Sequence, residues 1–327
     1  MLRLCSALIV KPRDYPLEVL KTEALNRRLV AHHSRKKEVK RKAKNLRAGY
    51  NGEKSLDFHL GFLQDESYRI LHHLRIRDAN EFFQMDTTII SPQFILINDA
   101  KNISGTVIYD EFGQAIRISK SGEEENLGNH IEQVNLQHLR LLRWMRNHDF
   151  PAIPIEKLVT HSNSNTIIKN ITNNKAVSDT IIYKEQLLTK IEEFADKHNA
   201  PVFTEEQLQH LAALLIDAHT PKEVDLLNKF GMKCEEILRG VFCPECSALP
   251  MKRTKAKWIC RQCGETSKDA HIPALQDYCL LFGNKIRNRE ARKFLMVDDI
   301  YVTQRLLKKE QLETVGTTRD RQYILRF

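Results

Sequence analysis

The chain has 327 residues, of which 42% are hydrophobic, with a formal net charge of +9 and a mean hydropathy of −0.44. This length suits two or three domains rather than a single core. No apolar stretch approaches the roughly 20 residues of a membrane span, and the apolar run at residues 1–10 is too short for a secretory signal. We therefore expect a cytoplasmic protein without a membrane segment.

The positive charge is concentrated at the start of the chain. Residues 1–48 hold 14 Lys or Arg against 4 Asp or Glu, so the remaining residues are almost neutral. We interpret residues 1–44 as a basic helical segment, and the Gly-rich stretch 49–52 as an interruption before a second helix. The residues best suited to DNA phosphate contacts are Lys36, Lys37, Lys40 and Arg41. A solvated helix face explains the same basic run.

The apolar periodicity changes after this segment. Short runs rich in β-branched and aromatic residues, broken by turn formers, predict strands. These strands are expected at 68–76, 82–90, 94–98, 105–109 and 114–118. Helical periodicity returns at 131–145, and a strand at 155–161 and a helix at 183–197 follow. This order predicts a mixed α/β domain over residues 45–198.

Two carboxylates and a lysine stand on adjacent predicted strands. Asp86 lies on one strand, and Asp99-Ala100-Lys101 ends the next. Because side chains alternate along a strand, Asp99 and Lys101 point to the same face, where both could meet Asp86.

This arrangement is a candidate site for a hard divalent ion, which prefers oxygen ligands. Asp86, Asp99 and the carbonyl of Ala100 could hold the ion. Lys101 could then orient a metal-bound water or stabilise the phosphorus that the water attacks. On spacing alone, a solvated ion pair between strand-end acids and Lys101 is the simpler explanation.

The residues around this motif form a longer pattern. It comprises residues 49–53, 83–87 and 97–105, then Gln114, Arg117, Gln133 and Val134. Over about residues 45–195 the pattern resembles the nuclease-related domain family, a branch of the PD-(D/E)xK phosphodiesterase superfamily. The resemblance implies an α/β, restriction-endonuclease-like core with a mixed sheet, and hydrolysis that requires Mg²⁺ or Mn²⁺. It also implies that Glu53 is a helix-borne acid supporting the metal and that Gln133 lies near the substrate.

Three positions depart from the family pattern. Asp99 stands where a Glu is common, Met85 precedes Asp86 where the motif has Pro, and His130 stands where a Pro usually precedes the helix of Gln133. The superfamily accepts either acid, and Met85 has no metal-binding role. The implied chemistry is therefore retained.

A cysteine pattern follows a helical connector that we expect at 199–240. Two Cys-x-x-Cys pairs are separated by a 13-residue spacer and would supply four thiolates to one structural Zn²⁺. The four ligands are Cys243, Cys246, Cys260 and Cys263. This predicts a zinc ribbon over residues 241–268, covered by Trp258, that either only stabilises a small domain or also contacts nucleic acid. We expect Cys5, Cys234 and Cys279 to be small buried hydrophobes.

The C-terminal residues 269–327 predict a third module. Helices are expected at 277–282, 288–295 and 300–309, followed by a basic hairpin, an order that resembles a winged helix-turn-helix. The candidate DNA contacts are Thr303, Gln304, Arg305, Arg319 and Arg321. A helical cap on the zinc ribbon is the alternative.

Together these patterns predict a metal-dependent DNA nuclease with a zinc ribbon and a winged-helix-like module. One alternative is a DNA-binding regulator that uses the nuclease fold only as a scaffold. Another is an RNA substrate, because the hydrolysis of a phosphodiester does not distinguish the sugars. The sequence lacks a phosphate-cradling Gly-Lys-Thr/Ser loop, which argues against an ATP-driven helicase. The pairs His32-His33 and His72-His73 are poorly spaced for a shared metal.

Overall fold

The structure is a computed structural model that describes residues 8–63, 67–119, 121–254, 256–317 and 320–326. The chain divides into two compact units. The first unit comprises Met1–Pro16 and Arg47–Lys222, and the second comprises Leu17–Leu46 and Glu223–Phe327. The basic segment 1–44 and the connector 199–240 are thus each shared between the two units.

The first unit is a mixed α/β domain. Its described strands are β1 (Leu8–Lys11), β2 (Arg69–Asp78), β3 (Glu81–Ile90), β4 (Ile95–Lys101), β5 (Gly105–Tyr109), β6 (Gln114–Ile118), β7 (Glu124–Asn129), β8 (Ile155–His161), β9 (Thr166–Asn170) and β10 (Ile181–Tyr183). The chain's first six helices are α1 (Leu17–Arg27), α2 (Lys36–Leu60), α3 (His130–Arg146), α4 (Lys175–Thr180), α5 (Leu187–Lys197) and α6 (Glu205–Asp217). Of these, α1 belongs to the second unit, and α2 begins in the second unit and ends in the first.

Two sheets build the first unit, a six-stranded sheet in the order β1-β2-β3-β4-β8-β10 and a four-stranded sheet in the order β7-β6-β5-β9. In the larger sheet β2, β3 and β4 are antiparallel, whereas β8 runs parallel to both β4 and β10. Alternate residues of its strands enter two apolar clusters. Leu71 and Ile97 pack with α3 and α6 residues, and Ile70 and Leu96 pack with α2 and α5 residues. The strand alternation thus buries both faces.

The strands predicted at 105–109, 114–118 and 155–161 are confirmed, and the helix predicted at 131–145 is α3. Strands β1, β7, β9 and β10 were not predicted. The expectation that residues 8–11 are helical is wrong, because they pair with β2 as a parallel strand. Their Leu-Ile-Val sequence favours a strand.

The interruption expected at 49–52 is also wrong, because α2 continues through both glycines. A Cβ on Gly52 would lie 2.5 Å from Cβ of Asn102 and 2.6 Å from Oγ of Ser162. The Asn102 side chain also donates a hydrogen bond to the carbonyl of Ala48 at 2.6 Å. Gly52 therefore lets the loop after β4 approach the helix, rather than ending the helix.

The second unit contains α1 and the C-terminal elements. These elements are α7 (Leu226–Lys229), β11 (Lys252–Thr254), β12 (Lys257–Ile259), β13 (Thr266–Ser267), α8 (His271–Phe282), β14 (Lys285–Arg287), α9 (Asn288–Leu295), α10 (Ile300–Lys309), β15 (Glu313–Val315) and β16 (Gln322–Ile324). The strands form two three-stranded sheets, β11-β12-β13 and β14-β16-β15. One apolar cluster joins Trp258 and Cys260 to buried residues of α8, α9 and α10. Within the described residues, no helix combines the length and apolar character of a membrane span.

Candidate functional site

Asp86 and Asp99 lie where two strands of the first unit diverge. The β3–β4 ladder ends at the pair Thr87–Asn98, and the two aspartates are the next residues on their strands. Oδ2 of Asp86 accepts a hydrogen bond from the backbone N–H of Ala100 at 3.0 Å. The backbone of the Asp-x-Lys segment therefore lies directly beside the Asp86 carboxylate.

Asp99, Lys101 and Gln133 form a closed set of polar contacts. Nζ of Lys101 lies 2.7 Å from Oδ2 of Asp99 and donates to Oε1 of Gln133 at 2.9 Å. Nε2 of Gln133 donates to Oδ1 of Asp99 at 2.6 Å. The carboxylate of Asp99 is buried, and the Lys101 side chain is 19% exposed. The amide of Gln133, carried by α3, thus fixes the orientation of both charged groups.

Asp86 has an electrostatic environment that disfavours its charge. Desolvation by the surrounding protein raises the pKa of Asp86 well above its usual range, and the charges of Asp99 and Glu53 raise it further. The N–H of Ala100 and the ammonium of Lys101 act in the opposite direction but do not offset these effects. A cation bound beside Asp86 would relieve this repulsion, and its carboxylate oxygens suit a hard divalent ion. The donor set therefore has the chemistry of a site for a hard divalent ion.

A cluster around Arg13 supports Glu53. The Arg13 side chain is only 3% exposed. Its Nη1 donates to Oε2 of Glu53 at 3.1 Å, and its Nη2 donates to Oδ1 of Asp57 at 3.1 Å and to Oγ1 of Thr87 at 3.0 Å. Nη2 also lies 2.8 Å from Nδ1 of His72, whose pKa burial and the Arg13 charge lower to about 3. The neutral His72 ring therefore accepts from Arg13.

His73 contacts the same glutamate from an irregular position in β2. The ladder pairs His72–Thr87 and Leu74–Met85 flank it, so its place opposite Asp86 is not a regular pair. Its backbone φ is 53°, which is unusual for a residue other than glycine. Nε2 of His73 contacts Oε2 of Glu53, the oxygen that Arg13 also holds. Backbone strain therefore coincides with the candidate site.

Arg13, Asp57, His72 and His73 were not recognised from the sequence as parts of this site. Arg13 precedes Glu53 by 40 residues and was assigned to a helical segment. The two histidines were rejected as a shared metal pair, and each instead makes a contact to the Arg13–Glu53 cluster. A glutamate and an aspartate four residues apart on one helix face were the available signal for a buried cation.

A buried Tyr–His network lies next to Lys101. The hydroxyl of Tyr109 lies 2.9 Å from Nδ1 of His130 and 2.8 Å from Nε2 of His161. Burial and the charge of Lys101 lower the pKa of His130 to about 3 and that of His161 to about 4. Both rings are therefore neutral near pH 7, and the hydroxyl donates to one and accepts from the other. Because His161 pairs with Lys101 across β4 and β8, this network fixes the strand that carries the lysine.

The second unit brings the four predicted cysteines together. The Sγ atoms of Cys243 and Cys263, and those of Cys246 and Cys260, lie 3.6 Å apart, and all four lie within 4.8 Å of one another. Zn–S bonds of about 2.3 Å in a tetrahedron require Sγ separations of about 3.8 Å. The cluster is therefore compatible with a structural Zn²⁺. Throughout the described ranges, no other group of three or more His, Cys, Asp or Glu is this compact.

Both cysteine pairs have the same backbone geometry. Ser247 and Gly264, which directly follow the pairs, have φ values of 57° and 77°. Their N–H groups donate to the carbonyls of Cys243 and Cys260 at 3.0 and 3.1 Å. The N–H group of Gln262 donates to Sγ of Cys260 at 3.4 Å, a contact that favours the thiolate. These two repeated turns direct the four sulfurs to one point.

The remaining cysteines differ from expectation. Cys234 is exposed, so the prediction that it is buried is wrong, and Cys279 is only half-buried. Cys5 lies outside the described residues. Trp258 is fully buried beneath the ribbon, as expected.

The residues predicted to contact DNA differ in their solvent exposure. Lys37, Lys40 and Arg41 are exposed on α2, whereas Lys36 contacts the carbonyls of Asn26 and Leu29. Lys36 thereby satisfies the C-terminal end of α1 and has less freedom to meet a phosphate.

In the C-terminal module, Arg305 is exposed, and Gln304 and Arg321 are half-buried. Thr303 is buried, and its hydroxyl donates to the carbonyl of Asp299 at 3.1 Å. Thr303 therefore faces the core rather than a ligand. Arg319 lies outside the described residues.

Comparison with known proteins finds a family model that matches part of the chain. The family model described as nuclease-related domain matches residues 48–162. This stretch contains Glu53, Asp86, Asp99, Lys101 and Gln133, so the resemblance inferred from the sequence is confirmed here. No curated protein and no solved structure matches the chain. Residues 48–162 are therefore similar to a nuclease-related domain, and the second unit carries a four-cysteine cluster.

Proposed function

We propose that this protein is a metal-dependent nuclease that hydrolyses DNA phosphodiester bonds. The proposal rests on the position of Asp86, whose carboxylate lies beside the Ala100 backbone and is repelled by the charges of Asp99 and Glu53. All of these residues lie in the stretch that matches the nuclease-related domain. Groups with strongly shifted pKa values cluster at functional sites. The repulsion between these carboxylates destabilises the metal-free protein, and a bound cation would offset it.

Each residue has a separate role in this proposal. Asp86, Asp99 and the carbonyl of Ala100 would hold Mg²⁺ or Mn²⁺. Glu53 would support this metal site. The bound ion would lower the pKa of a water and offset charge on the phosphate. Lys101 would donate to an oxygen of the reacting group while Gln133 keeps its ammonium in place. Arg13 and His73 are positioning residues, because they act through Glu53.

The second unit would supply DNA binding and structural zinc. Its C-terminal order of helix, strand, two helices and two strands, with β16 between β14 and β15, supports a winged-helix-like module. Arg305 and Arg321 would meet DNA from this module, and Lys37, Lys40 and Arg41 from the basic helix. Thr303 is excluded from this set by its burial.

Cleavage of labelled single- and double-stranded DNA, and of matched RNA, tests the proposal. Purified protein is assayed with Mg²⁺, Mn²⁺ or neither, alongside the Lys101→Ala variant. Lys169→Ala is the matched control, because Lys169 is an exposed lysine on β9 of the same unit. Removal of a transition-state donor should reduce the rate by about 100-fold or more, whereas the control should retain the rate.

Two results would contradict the proposal. Cleavage that is equal in Lys101→Ala and Lys169→Ala would show that the activity does not arise at this site. DNA binding without cleavage of any substrate, under all metal conditions, would favour the scaffold alternative. Cleavage of RNA alone would retain the chemistry and change the substrate.

A further inference from the structure

A cleft in the second unit lies between the zinc ribbon and the start of α10. Its volume is about 790 Å³. Four cationic side chains from three different elements line it: Lys252, Arg253, Arg261 and Arg305. Lys252 and Arg253 come from β11, Arg261 from the second cysteine turn and Arg305 from α10. The cations therefore converge from separate parts of the fold.

None of these four side chains makes an ion pair or a side-chain hydrogen bond within the described part of the chain. Two carboxylates, Asp298 and Asp299, also line the cleft. Asp299 caps α10, because its Oδ1 accepts from the N–H groups of Tyr301 and Val302 at 2.7 and 2.9 Å. The lining thus has an excess of positive charge.

Arg253 has the most unusual position. Its guanidinium lies over the buried ring of Trp258, 5.3 Å from the ring centroid. Its Nε and Nη1 are buried from water and have no acceptor in the described residues. Burial lowers the pKa of Arg253, the charge of Asp269 opposes this shift, and the charge of Arg305 adds to it. An anion in the cleft would relieve the repulsion between the two guanidinium groups.

We propose that this cleft binds the phosphodiester backbone of a nucleic acid through Arg253 and Arg305. A single inorganic phosphate would fill only a small part of about 790 Å³ and could not reach cations on three elements. Successive phosphates of one strand could contact them together. The proposal rests on the proposed function only for the identity of the polyanion, and it requires no catalytic metal.

The test compares two double variants of the full chain. Arg253→Gln with Arg305→Gln removes two charges from the cleft. Arg289→Gln with Lys308→Gln removes two exposed charges from the same unit, outside the cleft. Binding of a fluorescein-labelled DNA duplex is measured by anisotropy over a range of salt concentrations, with zinc retained and without added Mg²⁺ or Mn²⁺. Zinc content and far-ultraviolet circular dichroism report whether the ribbon remains folded.

The cleft variant should lose affinity at least about tenfold, and its slope of log K against log salt should fall by nearly 2, about 0.9 per phosphate contact. The control should change the affinity less than about threefold. Equal losses in both double variants, or unchanged binding in the cleft variant, would overturn the proposal.

Two further measurements keep the result interpretable. If the cleft variant loses zinc, the single variant Arg305→Gln is tested instead. Its slope of log K against log salt should fall by about 0.9. Inorganic phosphate at matched ionic strength should not displace the duplex, and displacement by phosphate would contradict a nucleic-acid occupant. Because binding is measured without catalytic metal, failure here would leave the nuclease proposal intact, and failure of cleavage would leave this one intact.

Discussion

A buried ion pair in the second unit permits a quantitative test of what stabilises the fold around the zinc ribbon. Asp277 of α8 is 1% exposed and accepts from Nε of Arg28 at 2.7 Å. The fully buried Arg28 also donates from Nη1 to the carbonyl of Gly240 at 2.9 Å, three residues before Cys243. Burial lowers the pKa of Arg28 and the charge of Asp277 opposes that shift. Loss of the carboxylate would leave the guanidinium buried without its counter-ion.

We expect Asp277→Asn to reduce the free energy of unfolding of the second unit by about 3 kcal/mol. Removal of one partner from a buried ion pair costs about 3–5 kcal/mol, and the two remaining carbonyl contacts of Arg28, to Leu238 and Gly240, favour the lower end. The chain has two tryptophans, Trp144 in the first unit and Trp258 in the second. In a Trp144→Phe background, the fluorescence of Trp258 during urea unfolding therefore reports the second unit specifically.

Asp269→Asn in the same background is the matched control. Asp269 pairs with Lys309 at 2.6 Å, but both side chains are more than half exposed. An exposed pair contributes less than about 1 kcal/mol. If Asp277→Asn and Asp269→Asn differ by less than about 1 kcal/mol, the argument from burial is refuted.

Three further predictions concern the other sites. Asp86→Asn should stabilise the protein without divalent metal at pH 8 while abolishing cleavage. The folded-state pKa of Asp86 is raised, so wild-type stability falls as pH rises above the ordinary aspartate pKa of about 4; thermal midpoints whose difference does not change with pH would contradict this. Tyr109→Phe leaves two buried imidazoles without a partner and should lower the free energy of unfolding by about 2–4 kcal/mol, measured by urea unfolding followed by Trp144 fluorescence in a Trp258→Phe background; a loss below about 1 kcal/mol would argue against the network. Cys260→Ser should abolish zinc binding, measured by atomic absorption, and expose Trp258; retention of zinc would count against a four-thiolate site.

The periodicity of apolar residues along the chain predicted several strands and the relative orientation of neighbouring side chains. Strands β5, β6 and β8 match their predicted bounds, because alternating apolar residues and flanking turn formers specify them. The shared face of Asp99 and Lys101 follows from the same alternation, and their 2.7 Å contact confirms it. The cysteine cluster was predictable because each pair is only two residues apart and forms its own turn.

The contacts of Arg13 and His73 with Glu53 could not be predicted from local periodicity. Arg13 follows β1, a four-residue strand whose parallel partner β2 begins 58 residues later. His73 reaches Glu53 from an irregular backbone position that no residue pattern specifies. Gly52 indicated a helix break by propensity, whereas the structure uses it for close packing against Asn102. Each failure involves a long-range contact that competes with a local preference.

The distribution of charge around the candidate site separates Asp86 from its neighbours. Arg13 pairs with Glu53, and Lys101 pairs with Asp99. Asp86 makes no ion pair among the described residues, although it receives the N–H of Ala100 and its pKa is raised by both neighbouring acids. If the domain served only as a scaffold, a neutral side chain here would give a more stable protein. The proposed function accounts for this unpaired carboxylate next to a fixed lysine, because a cation bound there would offset its charge.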